Sequence, residues 1–275
     1  MLEQLIYKNH LNETFEFGKN GVFVSESDLH DYEWTIQKQG SRLTGLEYGI
    51  TKRKLPVVIV CDTEETGIET RNRLFEITEK DALAMEYGRI ILGDYYFRCI
   101  VTKSQKKDYL KTKRLLTLTL TLTTDRPYWC REESFTFLPS VSTLSAGKIS
   151  DYPMDYPMDY HTVVANTELY NGGFVPSNFR LIIYGEVSNP VVYIGGHAYE
   201  VACDIGDGEH LTIDSASKTV TLTALDGTTT NKFNDRGRES YVFEKIKPGA
   251  NAVTWDGGFG FDVVLLEERS EPKWT

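Results

Sequence analysis

Asp151, Asp155 and Asp159 recur every fourth residue in the stretch DYPMDYPMDY. On a helix that spacing stacks three carboxylates on one face, the raw material of a metal or acid–base site. Pro153 and Pro157 argue against the helix, because each removes a backbone donor and crowds the preceding turn. Each also drives the tyrosine before it toward extended angles. In extended chain one side carries the Asp and Pro residues, and the other carries Tyr152, Met154, Tyr156, Met158 and Tyr160. Successive Asp residues then lie roughly 13 Å apart, too far to share one cation unaided. The apolar row is suited to docking on a surface while the Asp side stays wet. The stretch therefore reads as a strap, with those five side chains as its anchors and no metal bound.

Other chemistry-bearing residues are scattered. DIGDGEHLTID holds Asp204, Asp207, Glu209 and Asp214 but lacks the order of a calcium loop, and it reads as a turn before a strand. None of the histidines (His10, His30, His161, His197, His210) has metal-ligand spacing or stands beside a nucleophile motif. There is no G-x-S-x-G, no P-loop and no G-x-G-x-x-G; GGFGFD from Gly257 reads as a bend between strands. Of Trp34, Trp129, Trp255 and Trp274, Trp255 stands at a strand end before a glycine turn and is the candidate for an exposed sugar platform. Catalytic, cofactor and metal residues are thus expected to be none.

The elements that position these residues belong to a chain of 275 residues and 31.3 kDa, enough for two ordinary domains. A net charge of −10 speaks against general nucleic-acid binding and against an anionic membrane surface. The dense basic run KSQKKDYLKTKR from Lys103 reads as a solvated hairpin loop. No apolar run approaches a membrane span. The N-terminal MLEQLIYKNH has no apolar core or cleavage site, so no signal peptide is expected. Cys61, Cys99, Cys130 and Cys203 form no CxxC pair and suit a reduced folding compartment.

Strand signals dominate. FEFGKNGVFV reads as two short strands about Gly18–Gly21, LPVVIVC as a buried strand, and RIILGDYYFRCIV as a hairpin with Gly93-Asp94 at its tip. LLTLTLTLTT alternates strictly: Leu116, Leu118, Leu120 and Leu122 face a core, while the threonines face solvent or a neighbour. One helix is predicted from a capping box at Thr66–Glu69, running to about Lys80. Composition shifts near Pro139 to small polar residues, then the strap. After it, FRLIIYGEV, PVVYIG, HAYEVACDI, HLTID, KTVTLTAL, NAVTW and GFDVVLLEER are short strands split by turn signals, the pattern of a two-sheet sandwich. The expected class is mainly β: residues 1–140 a sandwich-like domain with one helix, residues 141–275 a second sandwich entered through the Asp151–Tyr160 strap.

Several segments, in order and spacing, resemble the distal tail protein (Dit) family of siphophages. They are IYKNHLNETFEFG, GVFVSESDLHDYEW, the tandem DYPM repeat, LIIYGEVSNPVVYIGG, GEHLTIDSASKTVTL, LDGTTTNKFN and IKPGANAVTW. Met154 and Met158 depart from the aromatic residues more usual there. The resemblance implies an N-terminal domain that forms a hexameric ring and a galectin-like C-terminal sandwich outside it. It implies a non-enzymatic virion protein, folded in the host bacterial cytoplasm and placed at the distal end of the tail. Its partners would be further copies of itself, the tail tube protein and the tail-tip or baseplate proteins (tail-associated lysin or fibre). Neither membrane, cofactor nor specific nucleic acid is implied. A ring around exiting DNA should not grip it, so an acidic or neutral lumen is expected.

The alternative is a carbohydrate-binding module recognising host cell-wall sugars through the C-terminal sandwich. His197 or His210, Arg236 or Arg238, and Trp255 are its available residues. A cell-wall hydrolase has no nucleophile or paired-carboxylate signal behind it.

Overall fold

The computed structural model describes residues 5–25, 27–107, 113–139 and 167–273. The strap, and with it Tyr152, Met154, Tyr156, Met158 and Tyr160, lies outside these residues. The chain divides into two units, Met1–Arg131 with Glu268–Thr275, and Glu132–Glu267. As expected, it is mainly β with one α-helix among the described residues.

The strands of the first unit are β1 (Leu5–Lys8), β2 (Thr14–Glu16), β3 (Val22–Val24), β4 (Thr35–Gln39), β5 (Arg42–Glu47), β6 (Thr51–Val60), β7 (Gly88–Leu92), β8 (Tyr95–Lys107), β9 (Leu115–Thr124) and the start of β10 (Trp129–Phe137). The helix α1 (Glu64–Ala84) follows β6. One antiparallel ladder runs β2-β1-β7-β8, and a second runs β8-β9-β6-β3. The long strand β8 serves both. It pairs β7 up to Cys99 and β9 from Ile100, with a bulge at Val101–Lys103 where the register shifts. Among the described residues the strands β4 and β5 pair only with each other, as a two-stranded ribbon.

In β9 the alternation settles its own faces. Leu116, Leu118, Leu120 and Leu122 are buried, and Thr117, Thr119, Thr121 and Thr123 are half-buried. The buried leucines join Leu55, Val57 and Ile59 of β6 and Leu74 and Ile77 of α1 in one core with Phe97 and Trp129. FEFGKNGVFV does give two short strands, yet β2 pairs β1 while β3 pairs β6. The turn between them uses positive φ at Gly18, Asn20 and Gly21. A Cβ on Gly21 would stand 1.8 Å from the carbonyl oxygen of Val60.

The helix differs from expectation at both ends. Its N-cap is Thr63, whose side chain accepts from the Thr66 N–H at 3.2 Å, so Thr66 is inside the first turn rather than capping it. Thr63 wins because Glu64 and Glu65 follow it, placing two carboxylates at the positive end of the helix. The C-terminal end reaches Ala84, closed by Met85 in the left-handed region.

The second unit is built from β11 (Glu168–Asn171), β12 (Asn178–Tyr184), β13 (Val187–Ser188), β14 (Val191–Ile194), β15 (His197–Glu200), β16 (Asp204–Ile205), β17 (His210–Asp214), β18 (Thr219–Thr223), β19 (Thr229–Asn231), β20 (Gly249–Thr254) and β21 (Gly260–Arg269), with a 3-10 turn at Phe233–Asp235. One sheet orders β19-β18-β17-β12-β21, and the other orders β11-β20-β14-β15. Leu181, Ile183, Leu211 and Phe261 from the first meet Leu169, Val192, Tyr199 and Val253 from the second in one core. This is the two-sheet arrangement that the short-strand pattern predicts.

Candidate functional site

A buried polar cluster lies in the first unit, around Asp81. This side chain sits in the last turns of α1 and is fully buried. Tyr7 Oη donates to its Oδ2 at 2.5 Å. The His10 backbone N–H donates to Oδ1 at 2.9 Å, and His10 Nδ1 lies 2.5 Å from the same oxygen. Gly88 leaves the room: a Cβ there would be 2.2 Å from Asp81 Oδ2 and 2.7 Å from Tyr7 Oη. Beside it, Asn9 bridges Glu13 and the Ile77 carbonyl, and Lys80 reaches Glu13 at 2.7 Å.

A Tyr–Asp–His set at these distances invites an acid–base reading. Its environment makes it a pin instead. Burial is the main cause that pushes the Tyr7 phenol far above its ordinary range, and Cys99 and Asp81 push the same way. The phenol therefore stays protonated as a donor. Burial likewise drives the Cys99 thiol up, which leaves it inert as a nucleophile. The cluster ties the β1–β2 turn to the C-terminal end of α1. Sequence reasoning treated His10 as isolated and missed Asp81. The available signal was the carboxylate near the helix C-terminus, where it opposes the dipole and needs local donors.

In the second unit the structure places Trp255 half-buried against the core. Its Nε1–H donates to the Phe259 carbonyl at 3.0 Å, and its ring meets Phe137 and Phe261 edge-on. Three other residues considered for a sugar site, His197, His210 and Arg236, are engaged separately. The His197 Nε2 lies 2.9 Å from the Tyr241 carbonyl and 3.0 Å from Ser240 Oγ. His210 tilts against Tyr184. The Arg236 guanidinium stacks over Phe233 at 3.8 Å and donates to its carbonyl. Burial and the Asp262 carboxylate raise the Tyr184 phenol to about 12.

Two of the carboxylates flanking β17 shape turns. Glu209 Oε2 accepts from Gly206 N–H at 2.9 Å, and Asp214 Oδ1 accepts from the N–H groups of Ala216 and Ser217, each at 2.8 Å. These carboxylates shape turns, as their sequence order suggests. Among the described residues no three His, Cys, Asp or Glu side chains converge as a metal site.

No protein-family profile and no curated protein matches the chain. Solved structures do. The crystal structure of Dit from phage SPP1, described as a paradigm of the hub adsorption apparatus in phages that infect Gram-positive bacteria, superposes with a TM-score of 0.59 at 10% identity, covering 98% of this chain and 100% of its own. A chain of the phage P2 baseplate in its activated conformation with calcium gives 0.64 at 12% identity, covering 99% and 100%. The corresponding strontium form gives 0.64 at 11% identity over the same shares. From one end to the other, the chain has the fold of the phage Dit hub and baseplate proteins.

Proposed function

We propose that this chain is a structural hub of a phage tail. In this reading six copies form a ring that joins the tail tube to the tail-tip or baseplate adsorption apparatus. The observation that carries it is the two-way coverage: the match takes in 98% of this chain and 100% of the SPP1 Dit chain. Fold alone does not assign function. Here the chemistry points the same way, because the Asp81 cluster is a pin and Trp255 has its N–H engaged.

Charge agrees as well. The second unit carries 8 Lys and Arg against 19 Asp and Glu, a net −11, whereas the first carries 22 against 21, a net +1. A near-neutral first unit is suited to surrounding DNA without holding it. The strap's Tyr152, Tyr156 and Tyr160 would anchor it on an apolar surface and hold that stretch of chain in place.

The test is electron microscopy of phage particles assembled with and without this protein. Labelled protein at the distal end of the tail, and tails lacking a tip apparatus in its absence, are expected. Normal tips without the protein would overturn the reading.

A further inference from the structure

Between β19 and β20 the chain runs through DRGRES, Asp235 to Ser240, a polar stretch with two arginines and two acids. It folds as a rail along β15, the end strand of its sheet. Val201 bridges Arg236, and the Gly237 N–H donates to the Glu200 carbonyl at 2.9 Å. Ser240 Oγ donates to the Ala198 carbonyl, and the Tyr241 carbonyl lies 2.9 Å from His197 Nε2. The loop thus covers an edge that would otherwise be open. It lies close enough that a Cβ on Gly237 would stand 3.1 Å from Glu200 Oε2.

This anchored loop bounds a pocket of about 580 Å³, within the range that small ligands occupy. Asn234, Arg236, Arg238, Glu239, Ser240 and Tyr241 line it. Arg236 is fixed on Phe233, and Ser240 is spent on β15. Arg238 and Glu239 are exposed, and neither forms a hydrogen bond or ion pair with any described residue. Tyr241 is 51% exposed and rests edge-on against Phe243. The pocket therefore offers a held frame, one aromatic ring, one unused donor fork and one unused carboxylate. Held groups lose less freedom when a ligand arrives.

Those groups select the ligand. A guanidinium only donates and a carboxylate only accepts. Neighbouring hydroxyls, each both donor and acceptor, engage the two together, while the C–H face of a sugar ring packs on the tyrosine. An apolar ligand would strand both charges. A polyanion would meet Arg238, but against the field of a unit at net −11. A neutral saccharide meets neither obstacle. Tyr193 extends the site: it points outward between Ala198 and Thr254, its partners on the flanking strands, and is 45% exposed. At one strand spacing to β15 and one more to the loop, it stands about 10 Å from the rail.

We propose that the second unit binds a neutral saccharide in this pocket, with Arg238 and Glu239 on its hydroxyls, Tyr241 against its ring and Tyr193 under a longer chain. The site is separate from Trp255, whose N–H is already engaged. It lies within one copy, so it stands or falls independently of the ring reading.

The test is saturation-transfer NMR of the full chain with millimolar cellotriose, chitotriose and galactotriose, and with trigalacturonate as the charged control. Transfer to at least one neutral trisaccharide is expected, and none to trigalacturonate. Arg238→Ala and Tyr241→Ala should each weaken that binding by about tenfold or more. Tyr170→Ala removes an exposed tyrosine elsewhere on the same unit and should leave it unchanged. Arg238 is exposed and unpaired among the described residues, so its variant should keep the wild-type melting curve and decides the matter if Tyr241→Ala unfolds. No transfer to any of the three neutral sugars, transfer to trigalacturonate alone, or binding that survives Arg238→Ala would each overturn the proposal.

Discussion

A buried carboxylate is worth what its donors make it worth. Asp81 accepts from Tyr7 and from the backbone of His10, and lies against the His10 ring. Asp81→Ala leaves a buried phenol and a backbone N–H without their acceptor, and should cost about 3 kcal/mol in urea unfolding. Tyr7→Phe removes one donor only, and should cost about 1–2 kcal/mol. Equal and negligible losses would mean that solvent reaches the cluster. Glu13, at its exposed rim, behaves differently. Hydrogen bonds from Lys80 and then Asn9 hold its carboxyl below the ordinary 4.5. A depressed folded value gives stability that is present above the unfolded value and lost as pH falls through the folded one. Glu13→Gln should therefore flatten the melting temperature against pH below about 4.5, and change little at neutral pH. A parallel acid limb in both proteins would show that the Lys80 pair is not the cause.

Elements are where the sequence was most legible, and where its limits show. β9 could be read from its alternation alone, because a period of two is decided by local sequence and one buried face. The turn Gly93-Asp94 and the short strands of the second unit were legible for the same reason. The helix start was misplaced because Thr63 and Thr66 are both competent caps, and the choice turns on the carboxylates of Glu64 and Glu65 in the first turn. The Asp81 cluster was invisible because its members stand 71 and 74 positions apart. The ribbon β4–β5 was not legible: β4 carries Ile36 alone and β5 has Leu43 and Leu46 three apart, a spacing that falls on one face only because the register shifts between Gln37 and Lys38. Two substitutions test the element assignments. Thr63→Ala should cost about 1 kcal/mol through the lost cap, where Thr66→Ala should cost less. Leu120→Ala, on the buried face of β9, should cost about 2–5 kcal/mol. Thr121→Ala, on the other face, should stay within about 0.5 kcal/mol. Comparable losses at Leu120 and Thr121 would mean that both faces of the sheet are packed.

At the scale of the whole molecule the governing fact is where the charge sits. A net −10 over the chain is almost entirely the second unit's −11, so any assembly of copies gathers negative charge. In the proposed ring, contacts between near-neutral first units would act at short range, while the repulsion between second units would act at long range. Salt separates the two. The screening length falls from about 30 Å at 0.01 M to about 8 Å at 0.15 M ionic strength. Weight-average mass at fixed protein concentration should therefore rise as sodium chloride is raised across that range. An interface held by ion pairs between copies would give the reverse slope, and the mass would fall. The slope thus reads out which forces hold the copies together. Charge-reducing changes on the second unit, such as Asp204→Asn with Asp207→Asn, should shift assembly toward lower salt.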